Sequence, residues 1–134
     1  MTTTDLIIIG AGPGGYHTAG YAAKHGLQVV IIEKGELGGT CLNVGCIPTK
    51  SFAHDADLYR NPLVPKSENG IDFKPILERK NQVVAQLVSG IATLLSQPGI
   101  TLVKGEAHFV DAHTVEVGGE LAKIGDADAA AEAA

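Results

Sequence analysis

Tryptophan is absent, and aromatic side chains make up only 4% of the 134 residues. A hydrophobic core must therefore be assembled from Val, Ile, Leu and Ala. Basic residues are scarce as well: ten Lys and Arg stand against fifteen Asp and Glu, giving a net charge of −5. A nucleic-acid surface needs clustered Lys and Arg, so the balance argues against that partner. No apolar run approaches the roughly 20 residues that a membrane-spanning helix requires. The start, Met1-Thr-Thr-Thr-Asp5, has no basic region, and the apolar run Leu6–Ile9 is too short for a signal core. These absences predict a soluble, cytoplasmic protein with no membrane partner. Cysteine occurs only twice. In a reducing compartment a close pair is more often catalytic or metal-binding than a structural staple.

What is present suits one globular domain of ordinary size, with 45% hydrophobic and 19% charged residues. Leu6, Ile7, Ile8 and Ile9 are apolar without alternation, which predicts a strand over Asp5–Ile9 buried on both faces of a parallel sheet. Gly10-Ala11-Gly12-Pro13-Gly14-Gly15 follows at once, and Ala-rich Tyr16–His25 then reads as a helix ending before Gly26. A second apolar run, Gln28–Ile32, closes a βαβ unit, and Glu33 ends it. This is G-x-G-x-x-G after a strand and opening a helix, the context in which the pattern binds a dinucleotide. Gly10 allows the tight turn, Gly12 lets a pyrophosphate approach the backbone, and Gly15 lets helix and strand pack closely. Helix-start amides, Gly14 among them, hold the phosphates. Glu33, 18 residues past Gly15, can accept hydrogen bonds from both ribose hydroxyls. An acid at this position disfavours a 2′-phosphate and hence NADP; the motif does not separate FAD from NAD.

Gly38-Gly39-Thr40-Cys41-Leu42-Asn43-Val44-Gly45-Cys46-Ile47-Pro48-Thr49-Lys50 holds both cysteines, separated by four residues. Two thiols this close can exchange electrons with a dithiol by making and breaking one bond. Zinc sites favour shorter pairs and four ligands, and His17, His25, His54, His108 and His113 are scattered, so no metal is expected. Buried, unreactive thiols are the bland alternative. Cα atoms five apart in an ideal helix lie roughly 8–9 Å from each other, beyond the 4.4–6.8 Å or so that a disulfide spans. If the two sulfurs are bonded, the segment must leave regular helix between them, and Gly45 supplies the freedom to do so.

Gly38–Lys50 resembles the redox-active signature of the pyridine nucleotide–disulfide oxidoreductases, which include lipoamide dehydrogenases, glutathione reductases and mercuric reductases. The resemblance covers about residues 5–118, and Arg79–Ile91 looks most like the lipoamide dehydrogenase branch. It implies an α/β fold: a Rossmann-like FAD-binding domain with a parallel sheet, covering helices and a β-hairpin, incomplete relative to the family. Carried over by position, Cys41 is the interchange thiol that attacks the substrate, and Cys46 lies against the flavin in a charge-transfer contact. Lys50 sits near the reactive flavin nitrogen, paired with a buried glutamate. Gly39 and Thr40 follow the pyrophosphate and ribityl chain. The position of Ala107 touches the adenine, and Lys34 joins Glu33 in the FAD site. The implied activity passes electrons from dihydrolipoamide or a protein-bound lipoyl group through a Cys41–Cys46 disulfide to FAD and then NAD, in a homodimeric full-length parent. Another branch, or a non-catalytic flavin-binding or redox-sensing module, is the alternative.

Further along, Ser51–Tyr59 is expected to continue a helix begun near the cysteines, and Arg60–Pro75 to be a loop. Ile76–Gln97 reads as a long helix with an apolar stripe of Leu77, Val84, Leu87, Val88, Ile91, Leu94 and Leu95. Ile100–Val103 reads as a strand, and Gly105–Val110 with Thr114–Val117 as a hairpin closed by Gly118-Gly119. The expected FAD-binding domain spans 1–120 and a low-complexity tail 121–134, Gly125–Ala134 being Ala, Asp and Glu around one glycine. In that tail Asp126 faintly resembles the family's second flavin motif, whose aspartate binds the ribityl chain. The family's NAD domain, interface domain and His–Glu acid–base pair have no counterpart, so the chain is expected to bind FAD without turning over alone.

Overall fold

The computed structural model describes residues 2–125, and its centre is β3 (Val29–Glu33), flanked in parallel by β2 (Leu6–Ile9) and β4 (Ile100–Lys104). Alternate residues of β3 point to opposite faces, so one strand serves two cores. Val29 and Ile31 pack with Ala11, Ala19, Ala22, Leu42, Ile91 and Leu95 on the helical side. Val30 and Ile32 pack with Val115, Val117 and Ala122 on the other. Burying a Val or Ile side chain contributes about 1.5–3 kcal/mol relative to exposure, which makes β3 the densest source of stability in the chain.

The helical layer consists of α1 (Pro13–Lys24), α2 (Gly39–Val44), α3 (Cys46–Arg60) and α4 (Phe73–Leu95). The opposite layer is a second sheet of β1 (Thr2–Thr4), β5 (Ala107–Phe109), β6 (Thr114–Val117) and β7 (Glu120–Ile124), in the order β1-β7-β6-β5. Its β5–β6 and β6–β7 pairings are antiparallel, and β7 runs parallel to β1.

Several expectations are corrected by these contacts. β2 is not fully buried: Leu6, Ile7 and Ile8 are half-buried and Ile9 is 48% exposed. Among the described residues β2 pairs only with β3, so its other edge is uncovered, whereas β3 is protected on both edges and both faces. The expected hairpin is present as the antiparallel β5–β6 pair, and β7 extends it into a three-stranded meander. The expected boundary after residue 120 falls inside β7, so Leu121–Ile124 belong to the folded unit. That pairing was illegible because Thr2–Thr4 and Leu121–Ile124 lie at opposite ends of the described chain. α1 begins at Pro13 rather than Tyr16, since proline is pre-set for the first helical position and lacks only an N–H that would go unpaired there. The same logic starts α4 at Phe73, ahead of Pro75: the Asp72 carboxylate accepts the Lys74 amide at 3.0 Å and caps the first turn. Within α4, Ile91 and Leu95 are buried, but Leu77 and Leu87 are 40% and 41% exposed and do not belong to the core.

Candidate functional site

The turn from β2 into α1 is built as the glycine spacing predicts. Gly10 has φ +100° and its amide donates to the Ile32 carbonyl at 2.7 Å, fixing the turn against β3. A Cβ on Gly15 would overlap the Gly10 carbonyl, so this close approach of helix and strand requires glycine. Gly12 caps α1, and the first intrahelical bond runs from the Tyr16 amide to the Gly12 carbonyl at 3.0 Å. Gly14 and Gly15 thus lie in the first turn, where amides have no partner within the helix.

Glu33 is held before any ligand arrives. Its Oε2 accepts the Ala11 amide and its Oε1 the Gly35 amide, each at 2.7 Å. The carboxylate thereby ties the glycine turn to the end of β3, and each oxygen keeps a lone pair for a further donor. Ile9, Gly10, Ile32, Glu33, Lys34, Gly105, Glu106 and Ala107 line a cavity of about 190 Å³ beside it. Glu33 and its neighbour Lys34 therefore share one cleft with Ala107, which lies far along the sequence. Lys34 Nζ donates to Glu106 Oε1 at 3.0 Å across it. The Lys34 ammonium holds the Glu106 carboxyl below the ordinary glutamate range, first through this hydrogen bond and then through its charge.

The second half of the site grows from the far side of the glycine turn. The Gly38 amide donates to the Ala11 carbonyl at 2.9 Å, and a Cβ on Gly39 would lie 3.0 Å from the Gly12 Cα. The turn and the start of α2 therefore touch backbone to backbone. Cys41 and Cys46 form a disulfide with Cα atoms 4.8 Å apart. As the chain geometry requires, α2 ends at Val44 and α3 begins at Cys46, with Gly45 between them. A Cβ there would meet the Thr40 carbonyl at 3.0 Å and the Cys41 Cα at 3.1 Å. Cys41 is half-buried and lines a second, largely apolar cavity of about 260 Å³ with Pro13, Tyr16, Leu42, Ile47, Leu87 and Ile91. Cys46 and Lys50 are exposed, one helical turn apart on α3, and Thr40 is exposed on α2. Among the described residues Lys50 joins no salt bridge. Asp126 lies outside the described residues.

Three interactions have no place among the sequence expectations. Asn43 Nδ2 donates to the carbonyls of Leu37 at 2.9 Å and Gly39 at 3.0 Å, stitching α2 to the loop before it. Asp55 and Arg79 form an ion pair at 2.5 Å between α3 and α4, with the Asp55 side chain only 9% exposed. Glu106 pairs with Lys34 across 72 positions. The weak helix propensity of asparagine was a signal for the first; the other two have no local signature.

The profile of the family described as pyridine nucleotide-disulphide oxidoreductase matches residues 4–129. Over 120 residues the chain is 47% identical to a dihydrolipoyl dehydrogenase of Geobacillus stearothermophilus, covering 85% of this chain and 26% of that protein. It is 45% identical over 120 residues to a dihydrolipoyl dehydrogenase of Bacillus subtilis (strain 168), with the same coverage of 85% and 26%. The HOCl-induced flavoprotein disulfide reductase RclA from Escherichia coli superposes with a TM-score of 0.77 at 35% identity, over 90% of this chain and 26% of that one. The chain thus spans about a quarter of the length of the curated relatives it matches.

Proposed function

The chain belongs to the pyridine nucleotide-disulphide oxidoreductase family, and from that premise we propose that it forms the FAD-binding, disulfide-bearing part of a dihydrolipoyl dehydrogenase. The observation that carries the reading is the backbone contact of Gly12 with Gly39, which joins a nucleotide-type cleft to the Cys41–Cys46 disulfide. An elongated cofactor fits that arrangement. Glu33 would hold the adenosine ribose, with Lys34 and Ala107 beside it, and Gly10, Gly12, Gly14 and Gly15 would admit the pyrophosphate to the start of α1. Gly39 and Thr40 would follow the ribityl chain, and Cys46 and Lys50 would face the ring. When bound, FAD supplies the two-electron acceptor, and NAD the final one.

The protein's own chemistry is thiol–disulfide exchange. One thiolate of the substrate attacks Cys41 Sγ, the Cys41–Cys46 bond breaks, and Cys46 leaves as a thiolate. The second substrate thiol, deprotonated, then displaces Cys41, so the substrate becomes a disulfide and the cysteine pair carries its two electrons. The half-buried setting of Cys41 beside an apolar cavity suits a dithiol on a hydrocarbon stem such as dihydrolipoamide, free or protein-bound. The Lys50 ammonium, one turn from Cys46, favours the thiolate of the departing sulfur. The nicotinamide site and the second subunit of a homodimer would come from polypeptide beyond these residues. The 47% identity to a dihydrolipoyl dehydrogenase, against 35% to RclA, favours this branch over other disulfide reductases.

The test is optical. Incubated with FAD and passed through a desalting column, the protein should retain flavin absorbance, and dihydrolipoamide should bleach it. Cys41→Ser should keep the colour and lose the bleaching. Failure to retain flavin at saturating FAD overturns the reading, and bleaching that survives in Cys41→Ser removes the disulfide from the path.

A further inference from the structure

Glu106 lies outside the nucleotide-binding pattern, yet it lines the same cleft as Glu33. The charges around that cleft are few and each has a place. Glu33 is fixed by the Ala11 and Gly35 amides. Lys104, on β4, donates its ammonium to the Gly35 carbonyl. Lys34, immediately after Glu33 and free to swing on a long side chain, is instead held by Glu106 at 3.0 Å. His108 lies near enough to Glu106 to add a small further lowering of its carboxyl. The two walls of the cleft are also joined by the Gly105 amide, which donates to the Glu33 carbonyl at 3.0 Å. The walls therefore stay in place when the Lys34–Glu106 pair is broken, and only the lysine's freedom changes.

A cation beside the acidic residue is the element that lets such a cleft accept a phosphate on the ribose 2′ position. Lys34, next to Glu33 in sequence and lining the same cleft, is a cation within that cleft. We propose that Glu106 is a specificity-determining residue: by engaging Lys34 across the cleft, it keeps that ammonium from a ligand phosphate, so the cleft takes adenosine with free ribose hydroxyls and refuses its 2′-phosphate. Glu33 supplies repulsion, and Glu106 removes the attraction that would offset it. Discrimination then depends on two carboxylates far apart in sequence, one ending β3 and the other in the connection between β4 and β5. The inference rests on the nucleotide reading above and refines it.

The experiment titrates the full 134-residue chain with 5′-AMP and with adenosine 2′,5′-bisphosphate, a pair differing only in the phosphate, by NMR. The wild-type protein is expected to prefer 5′-AMP. Glu106→Gln should shift the affinity ratio about three-fold toward the bisphosphate at low salt, the scale of one exposed ion pair. Both side chains are more than half exposed, so the variant has no reason to misfold. The shift should disappear in Lys34→Gln/Glu106→Gln and shrink at high ionic strength. An unchanged ratio in Glu106→Gln overturns the proposal, as does a shift that persists without Lys34. If the wild-type chain binds neither ligand, the nucleotide reading falls and takes this one with it; 5′-AMP binding with a ratio insensitive to Glu106 overturns this one alone.

Discussion

The two halves of the site are made differently. The nucleotide half is finished by the chain itself: four consecutive residues of β3 are buried, and Glu33 is already oriented by two amides. The redox half rests on α3, which among the described residues has no buried residue over its 15 positions and presents Cys46 and Lys50 to solvent. Yet α3 is not loosely attached. Phe52 stacks on Phe73 with centroids 5.7 Å apart, and Asp55 pairs with Arg79, so α4 holds it from one side. The difference teaches that the first half is specified by local sequence and a two-faced core. The second is a surface whose complement, in the proposed function, is the flavin ring and further polypeptide.

The sharpest way to break the comparison is to remove the same kind of atoms from each half. Ile31→Ala empties a fully buried position on β3 and should cost about 2–5 kcal/mol, as deletions of buried aliphatic groups do. Leu58→Ala on α3, where the side chain is 41% exposed, should cost well under half of that. Denaturant unfolding followed by circular dichroism reads both. Equal losses would mean that α3 is as integral to the fold as β3, and the contrast would fail.

That contrast also explains which parts could be read from sequence. β2, α1 and β3 were legible because their signals are local: an apolar run, three glycines at fixed spacing, a second run and an acid, all within Leu6–Glu33. The break at Gly45 followed from the mismatch between helix rise and disulfide reach, which needs no tertiary information. The half-exposure of β2 and of Leu77 and Leu87 was not legible, because an apolar residue shows its type but not what the fold brings against it. The β1–β7 pairing and the Lys34–Glu106 and Asp55–Arg79 pairs depend on distant partners, and exposed charges carry no periodic pattern.

A smaller effect is expected from opening the disulfide. The bond closes a loop only five residues long in separation, and loop-closure entropy for a ring of that size is about 2 kcal/mol. Cys41→Ser/Cys46→Ser should therefore lower unfolding stability by about that amount or less. Far-UV circular dichroism should show α3 retained, because its contacts to α4 do not involve the sulfurs. Reduction by dithiothreitol should reproduce the loss in the wild-type chain and leave the double variant unmoved. Loss of α3 in either case would show that the redox half depends on its disulfide for order and not on α4.

The smallest effect tests the charge work at the nucleotide end. Lys34 lowers the Glu106 carboxyl from its ordinary value, so the folded state prefers the ionised form. A depressed carboxyl contributes stability that is fully present above the ordinary glutamate range and is lost as pH falls through the lowered folded value. The Glu106 side chain is more than half exposed, and exposed pairs contribute little. Wild type and Glu106→Gln should thus differ slightly at pH 7 and converge as acid protonates the carboxyl, with high salt closing the gap at neutral pH as well. Should the two proteins instead diverge toward low pH, the Lys34–Glu106 pair would not be the contact that Glu106→Gln removes. The ordering of the nucleotide end would then have to be assigned to Lys104 and Gly105, whose bonds to Gly35 and Glu33 join the same two walls.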